Sequence, residues 1–200
     1  AAPNYQIGHT HADTLSIEIS LKGKKIFTNA GISTYESNKK REKERSTTSK
    51  NTVTYGQKSS SYIISSFRMG KRANITNLEG LTSKNEFFIT ASHDGFSNIY
   101  KRIVHTRSIK VNETEIIIID YFNDSKANKI SRLHLHPDVK ISKNNNNLIL
   151  GNNDKKIFSL KNENIEIGNY FYNDSFNNTI ESNVIKRKMG NQLKTLIRII

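Results

Sequence analysis

Hydrophobic and polar residues alternate along residues 15–21, where every odd position is leucine or isoleucine and every even position is serine or glutamate. A period of two residues is typical of a β-strand with one buried and one solvent-facing side. Lys22 and Gly23 interrupt the pattern, and a second strand is predicted over residues 24–28. The two segments predict a β-hairpin, and the polar residues 9–13 lie just before it.

Strand-length hydrophobic segments recur along the chain, and the connections between them hold asparagine, glycine, serine and aspartate, which favour turns. Strands are predicted at residues 52–55, 63–67, 87–91, 103–111, 115–122, 129–135, 139–141, 148–150, 156–160, 165–170, 184–188 and 193–200. Many short strands joined by turns predict an all-β fold, a sandwich or a barrel. A chain of 200 residues suits one such domain, spanning residues 1–200.

Four segments carry more specific predictions. The run "EIIIID", which begins at Glu115, is apolar on both sides and predicts a central strand buried on both faces. The stretch "LILGNNDKKIFSL" predicts a hairpin around residues 151–154. The stretch "NKKREKERS" predicts a short exposed helix, and "ISKNNNNL" predicts a flexible loop of low complexity.

The chain is strongly basic, with 31 Lys and Arg against 18 Asp and Glu and a net charge of +13. Such a charge attracts polyanions, or it is simply spread over solvated loops, and composition leaves both interpretations open. The densest clusters, "KKREKER" and "IKRKMGNQLK", lack the interleaved aromatic residues of a single-strand nucleic-acid binder. No cysteine is available for disulfides or thiolate metal sites, and no apolar run is long enough to span a bilayer. No N-terminal signal pattern is visible.

Histidines are the strongest candidates for chemistry. His9 and His11 lie two residues apart, so in an extended segment both point to one side, as metal ligands often do. His134 and His136 share a face with Arg132, and the pattern also places His105 and Arg107 on one face. For each pair, a half-buried histidine with a hydrogen-bond partner remains the simpler interpretation.

Several sequence blocks resemble the C-terminal domain of the heparinase II/III-like family. They are "GHTHADTLSIEIS", "IFTNAGISTY", "RSTTSKNTVTYG", "SSFRMGKRA", "ASHDGF" and "VHTRSI", in the family's order over residues 5–141. Members join an N-terminal α/α toroid of helices to a C-terminal antiparallel β-sandwich, and they cleave acidic polysaccharides by β-elimination. The resemblance therefore implies a large β-sandwich, with the toroid missing from this sequence.

The resemblance also implies roles for particular residues. The family's tyrosine acid/base and carboxylate-neutralising residues lie mostly on the toroid, and the sandwich contributes a histidine that matches His9. His9 would hydrogen-bond the substrate carboxylate or transfer a proton. The matching blocks supply the candidate substrate-binding residues, which are His11, Arg45, Asn51, Arg68 and His93.

Some members bind a structural zinc through positions that match His11, Asn29 and Lys50. An amide is a poor zinc ligand and a protonated lysine repels the ion, so no zinc or other cofactor is expected here. Lys50 is instead expected to pair with an acid such as Asp13, and Asn51 to hold its loop through side-chain to backbone hydrogen bonds.

The sequence as a whole predicts the sandwich domain of a polysaccharide lyase that acts on an anionic glycan. Its expected partners are that glycan and the missing helical toroid, with no nucleic acid and no membrane span. A non-catalytic glycan-binding or scaffolding module is the main alternative, and a basic nucleic-acid-binding protein is another. The resemblance implies a periplasmic or cell-envelope-associated bacterial protein, and the chain alone is expected to be inactive.

Overall fold

A computed structural model describes residues 7–152, 155–161 and 163–200. This part of the chain forms fourteen strands, one α-helix and one short 3₁₀-helix. The elements are β1 (Ile19–Leu21), β2 (Lys24–Phe27), α1 (Lys39–Arg45), the 3₁₀-helix (Thr47–Ser49), β3 (Val53–Tyr55), β4 (Ile75–Thr82), β5 (Phe87–His93), β6 (His105–Val111), β7 (Glu115–Phe122), β8 (Lys129–His134), β9 (Lys140–Asn144), β10 (Asn147–Asn152), β11 (Lys155–Lys161), β12 (Ile165–Ser175), β13 (Asn178–Met189) and β14 (Gln192–Ile199).

Two large antiparallel sheets form a β-sandwich, which confirms the predicted fold class. The eight-stranded sheet has the order β4-β5-β6-β7-β14-β11-β10-β9, and the four-stranded sheet has the order β12-β13-β8-β3. The β1–β2 hairpin forms a separate two-stranded ribbon. No helix among the described residues is long and apolar enough to cross a membrane.

The main core lies between the two sheets, where alternate residues of each strand point inward. On β8 and β13, Leu133 and Ile185 are paired in register and enter this core, while Arg132 and Lys186 are paired on the opposite, outer face. The larger sheet contributes isoleucine, leucine and phenylalanine from β7, β10, β11 and β14, namely Ile116, Ile118, Leu148, Leu150, Phe158, Leu160 and Ile197. The outer face of the smaller sheet therefore carries polar side chains.

The first hairpin is present but shorter than predicted. Residues 15–18 are not a strand, because the amide of Ser16 donates to the carbonyl of Asp13 and Leu15 has a φ of 60°. That turn redirects the chain before Ile19, although Ile17 still packs against the core. Lys22 and Gly23 both have positive φ, as the tight turn of a hairpin requires.

The sequence does not predict β4, and the strand that it predicts at residues 63–67 is not formed. Every residue of β4 is exposed at the sheet edge, so its sequence carries no alternation of buried and exposed positions. Residues 63–67 instead form a tight turn closed by an isolated bridge between Ile63 and Met69. The amide of Gly70 donates to the carbonyl of Tyr62, which closes the turn further out.

The asparagine-rich segment is not a loop but a hairpin of β9 and β10, so the loop prediction is wrong. Asn144 pairs with Asn147, and Asn145 has a φ of 50° at the turn. Asparagine tolerates this left-handed conformation, and the run therefore supplies a tight turn. β10 pairs with β11 as predicted, but residues 153 and 154 at the turn of that hairpin lie outside the described residues.

β7 is central, as its sequence predicts, with β6 and β14 as its neighbours. It is not fully buried on both faces: Ile116, Ile118, Asp120 and Phe122 are buried, and the alternate positions are exposed or half-buried. Residues 39–45 form the predicted short helix, α1, but its inner side is buried rather than exposed. Asn38 caps the helix by accepting a hydrogen bond from the amide of Arg41.

Candidate functional site

His9 lies exposed in the turn that precedes the first strand. Its Nδ1 is 3.4 Å from the hydroxyl oxygen of Tyr35, and the two rings meet edge to face with centroids 5.6 Å apart. Within the described part of the chain, Nε2 has no hydrogen-bond partner. The imidazole is thus held on one side and open to an incoming ligand on the other.

Arg41, on the buried side of α1, organises the surroundings of His9. Its guanidinium lies 4.3 Å from the centre of the Tyr35 ring and 4.6 Å from that of Phe67. It also donates to the carbonyls of Gly8, Thr34 and Ser66, each next in sequence to one of these three side chains. One buried cation therefore fixes the three segments that present His9, Tyr35 and Phe67.

Exposed aromatic rings cluster with Tyr35, the ring that contacts His9. Tyr35 is 47% exposed, Phe67 41% and Phe176 57%, and the rings of Tyr35 and Phe176 are 5.1 Å apart. We call the set of His9, Tyr35, Phe67 and Phe176 the His9 face. Clustered aromatic rings beside a hydrogen-bonding group are typical of surfaces that bind ligands, among them sugars that stack on aromatic rings.

A glycine fixes the start of the loop that carries Tyr35. Gly31 has a φ of 73°, and a Cβ added there would lie 2.2 Å from the carbonyl oxygen of Asn173 on β12. Any larger residue would push this loop off the sheet. The glycine of the block "IFTNAGISTY" thus positions Tyr35 through a close backbone approach.

The residues predicted to bind substrate fall into two groups. Arg68 is exposed and directly follows Phe67 in the sequence, so it remains a candidate for contact with a ligand. Arg45 is fully buried, and its guanidinium donates to the carbonyls of Ile7, Thr10, Ser65 and Ser66. Arg45 therefore supports the loops under the His9 face and does not reach the surface.

His11 points away from the surface and contacts Lys50, with 2.8 Å between Nδ1 and Nζ. Burial, together with the positive charge of Lys50, lowers the pKa of His11 to about 3, so its imidazole is neutral and accepts the hydrogen bond. Burial also lowers the pKa of Lys50 to about 8, although the carboxylates of Asp13, Glu18 and Glu44 oppose this shift. The direct partner of Lys50 is thus His11 and not, as predicted, Asp13.

The third position of this group, Asn29, is also engaged. Its Oδ1 accepts from the hydroxyl of Ser16 and the amide of Asn51, while its Nδ2 donates to Glu18. The His11 nitrogen that faces Lys50 is taken by an ammonium group, and the described residues hold no cluster of three metal-ligating side chains. These residues do not fit a zinc site.

Asn51 links distant segments instead of facing a ligand. Its Nδ2 donates to the carbonyl of Ile17, and its Oδ1 accepts from both the amide and Nδ1 of His134. These contacts match the predicted side-chain to backbone role. The side chain of Asn51 is fully buried and ties the segment that precedes β1 to β8.

His93 belongs to a buried network on the larger sheet. Its Nδ1 accepts from the amide of Gly95, so its Nε2 carries the proton and donates to Nδ1 of His105. Nε2 of His105 then donates to Asp120, which also receives two hydrogen bonds from Arg107. Every group in this hydrogen-bond network has a partner. His93 is buried, so it stabilises the sheet interior and is not exposed to a glycan.

Sequence reasoning missed Tyr35, Phe176 and Arg41. Tyr35 and Phe176 lie in the polar stretches "STYESN" and "NDSFNN", where an isolated aromatic residue has no apolar neighbours to pack against. That isolation is a usable signal for an exposed ring. No sequence signal distinguishes Arg41 from the other cations of "KKREKER", because its role depends on the tertiary fold.

Comparison with known proteins gives a consistent result. The family model for the heparinase II/III-like C-terminal domain matches residues 1–199. The fold is similar to that of heparan sulfate lyase HepC from Pedobacter heparinus, with a TM-score of 0.71 and 15% identity over 96% of this chain. It is also similar to a solved heparinase III, with a TM-score of 0.68 and 15% identity over 96% of this chain. The chain spans 30% of the length of each of these two proteins. No curated protein sequence matches it.

Proposed function

The chain belongs to the heparinase II/III-like family, as its C-terminal domain, and from this we propose that it is the sandwich domain of a polysaccharide lyase that cleaves uronate-containing glycans by β-elimination. The His9 face is the observation that carries the proposal. It joins a histidine with a free ring nitrogen to a set of exposed aromatic rings. One of the two similar structures is named a heparan sulfate lyase and the other a heparinase, and these names support an acidic glycan as the substrate class.

The chemistry of β-elimination explains why a histidine suits this position. A base removes the proton α to the uronate carboxylate, the electron pair forms a carbon–carbon double bond, and the glycosidic oxygen leaves with a proton from an acid. Negative charge builds up on the carboxylate during proton removal, so a hydrogen-bond donor there stabilises the transition state. Nε2 of His9 is the atom we assign to this contact or to a proton transfer.

The remaining catalytic groups are proposed to lie outside this chain. Among the described residues, His9 is the one exposed histidine. A second base or acid is needed, and we propose that the helical toroid of the whole protein supplies it. Tyr35 then orients His9, and Phe67 and Phe176 contact the sugar rings.

The proposal is tested with the longer protein that contains this chain, with heparan sulfate as the first substrate and absorbance of the new double bond as the readout. His9→Gln should lower kcat about 10²-fold or more, because a positioned proton-transfer group contributes on that scale. His136→Gln is the matched control, since the ring of His136 contacts Asp138 and Tyr172, which do not belong to the His9 face. Equal rates for His9→Gln and the parent protein would refute the role of His9. The chain alone should give no product.

A non-catalytic glycan-binding module is the second candidate function. The misfit of His11, Asn29 and Lys50 to a zinc site favours it, because the family feature has been replaced. Under this alternative the longer protein retains acidic oligosaccharides on the His9 face but forms no unsaturated product. Binding measured beside the absorbance assay separates the two.

A further inference from the structure

A cavity lies between α1 and the outer face of the four-stranded sheet. It has a volume of about 800 Å³, and we call it the basic groove. Its floor is formed by His134 on β8, Val184 on β13 and Tyr170 on β12; the first two are direct cross-strand neighbours. Its wall is α1, which contributes Lys39, Lys40 and Lys43. None of these residues belongs to the His9 face.

Cations outnumber carboxylates in the groove. The lysines of α1, together with Arg132 and Lys186, face only two acidic side chains, Glu44 and Glu181. Glu44 is buried, and its oxygens accept hydrogen bonds from the backbone amide and hydroxyl of Ser33 and from Asn173. This carboxylate is therefore occupied by fixed donors.

Three of the cations have no carboxylate partner in the described part of the chain. Lys39 and Lys186 are paired with carboxylates outside the groove lining, whereas Lys40, Lys43 and Arg132 form no ion pair. Arg132 donates instead to the hydroxyl of Thr54 and the carbonyl of Ile130. A partly enclosed site with unpaired cations on two sides favours an anionic ligand.

The remaining lining suits a sugar. Phe171 is 60% exposed, and the Tyr170 ring packs edge to face on His134 at 4.7 Å. Asn169 adds an amide. Gly168 adds no bulk; a Cβ there would lie 2.7 Å from Nζ of Lys186, so its absence lets this ammonium lie across the strand. Aromatic rings, an amide and unpaired cations are together the groups that bind an acidic saccharide.

We propose that the basic groove is a second binding site for an oligosaccharide bearing carboxylate or sulfate groups, separate from the His9 face. The choice of a saccharide rests on the proposed function, whereas the choice of an anion rests on the groove itself. α1 forms the boundary between the two sites: Arg41 faces the His9 face, and Lys40 and Lys43 face the groove. The groove would hold part of the glycan away from the reacting bond.

The test is calorimetric titration of the chain with a heparan sulfate hexasaccharide at fixed ionic strength. The double variant Lys40→Gln/Lys43→Gln should weaken binding about tenfold or more, because it removes two positively charged hydrogen-bond donors from the groove. Both lysines are exposed, so the variant should fold normally. Lys84→Gln/Lys143→Gln is the matched control, since it removes the same charge from exposed positions outside the groove.

The outcomes separate the possible explanations. Equal weakening by both double variants would show diffuse attraction and overturn the groove, as would an unchanged affinity for Lys40→Gln/Lys43→Gln. Equally tight binding of polyglutamate would overturn the saccharide and favour an acidic protein partner. The proposed function is judged separately by product formation in the longer protein. If the groove binds the hexasaccharide but the longer protein has no lyase activity, the binding site is supported and the proposed function is refuted.

Discussion

His93 and His134 are buried and His11 is half-buried, and each is kept neutral by a different set of neighbours. Burial is the main cause in every case, and it lowers the pKa of His11 to about 3, of His93 to about 2 and of His134 to about 3. Lys50 adds to the effect at His11, His105 at His93 and Arg132 at His134. These side chains act as neutral hydrogen-bonding groups within the fold.

We predict that the protein loses stability as the pH falls below about 6.5, the usual pKa of histidine. Between that pH and about 3, the three histidines bind protons in the unfolded chain but not in the folded one, so unfolding takes up protons and becomes more favourable. Each histidine lowers the free energy of unfolding by at most about 1.4 kcal/mol per pH unit, and the three together lower it by at most about 4 kcal/mol per pH unit. Thermal unfolding at pH 7, 6, 5 and 4 measures the effect.

The network of Asp120 acts in the same direction. Burial alone would raise the pKa of Asp120, but Arg107 and His105 lower it below its usual range, so this carboxylate also resists protonation in the folded protein. His136→Gln serves as the control for loss of a histidine, because His136 belongs neither to these three histidines nor to the Asp120 network. A melting temperature that stays constant from pH 7 to pH 5 would contradict the neutral assignment of these histidines.

We also predict that the protein purifies without stoichiometric zinc. The pKa of Lys50, about 8, keeps most of its side chain charged at pH 7, and that charge faces the Nδ1 lone pair of His11. A zinc ion would have to displace this ammonium and would gain only an amide, Asn29, beside the imidazole. Elemental analysis and thermal unfolding with and without a chelator provide the measurement. About one zinc per chain, lost in His11→Ala, would contradict this prediction and show a metal site that combines His11 with unexpected ligands.

Among the elements, α1 depends most on its surroundings. A helix of seven residues is too short to be stable alone, so it persists through its cap and its buried side. That side carries Arg41, Glu44 and Arg45, all hydrogen-bonded to fixed partners. The helix thereby separates the His9 face from the basic groove and contributes side chains to the margins of both.

Asn38→Ala should lower the free energy of unfolding by about 1 kcal/mol, because it removes the cap of α1. The lost contact is the hydrogen bond from the amide of Arg41 to the Asn38 side chain, 3.0 Å long. Asn38→Asp is the matched control, since aspartate caps a helix about as well as asparagine. Urea unfolding of the three proteins gives the comparison. Equal losses for alanine and aspartate would show that the cap does not stabilise the helix.

The strands differ in how far the sequence predicts them, for a physical reason. β7 and β8 show clear patterns because one face of each strand is buried. The hydrophobic pattern does not predict β4, because this edge strand buries none of its residues. The candidate site shows the same contrast: the resemblance to the family suggests His9, but Tyr35, Phe67 and Phe176 come together only through the tertiary fold. Burial of Arg45, Asn51 and His93 likewise depends on contacts that no local pattern records.

At the scale of the whole molecule, the positive charge is mostly available to a ligand. The chain carries a net charge of +13, and among the described residues only five cations and three carboxylates are buried. The buried cations are Arg41, Arg45, Lys50, Arg107 and Lys129. Burial therefore removes little of the excess, and the surface that remains is strongly basic.

This excess predicts salt-sensitive binding to polyanions. The chain should be retained on a heparin column at low salt and released as salt rises, since the screening length falls from about 30 Å at 0.01 M to about 8 Å at 0.15 M. The same matrix without heparin is the control for unspecific retention. A logarithm of the binding constant that falls linearly with the logarithm of the salt concentration would indicate release of counterions from the glycan. Elution in the void volume at low salt would mean that the lysines and arginines are too dispersed to act together, and the acidic glycan would then have to be recognised by the His9 face alone.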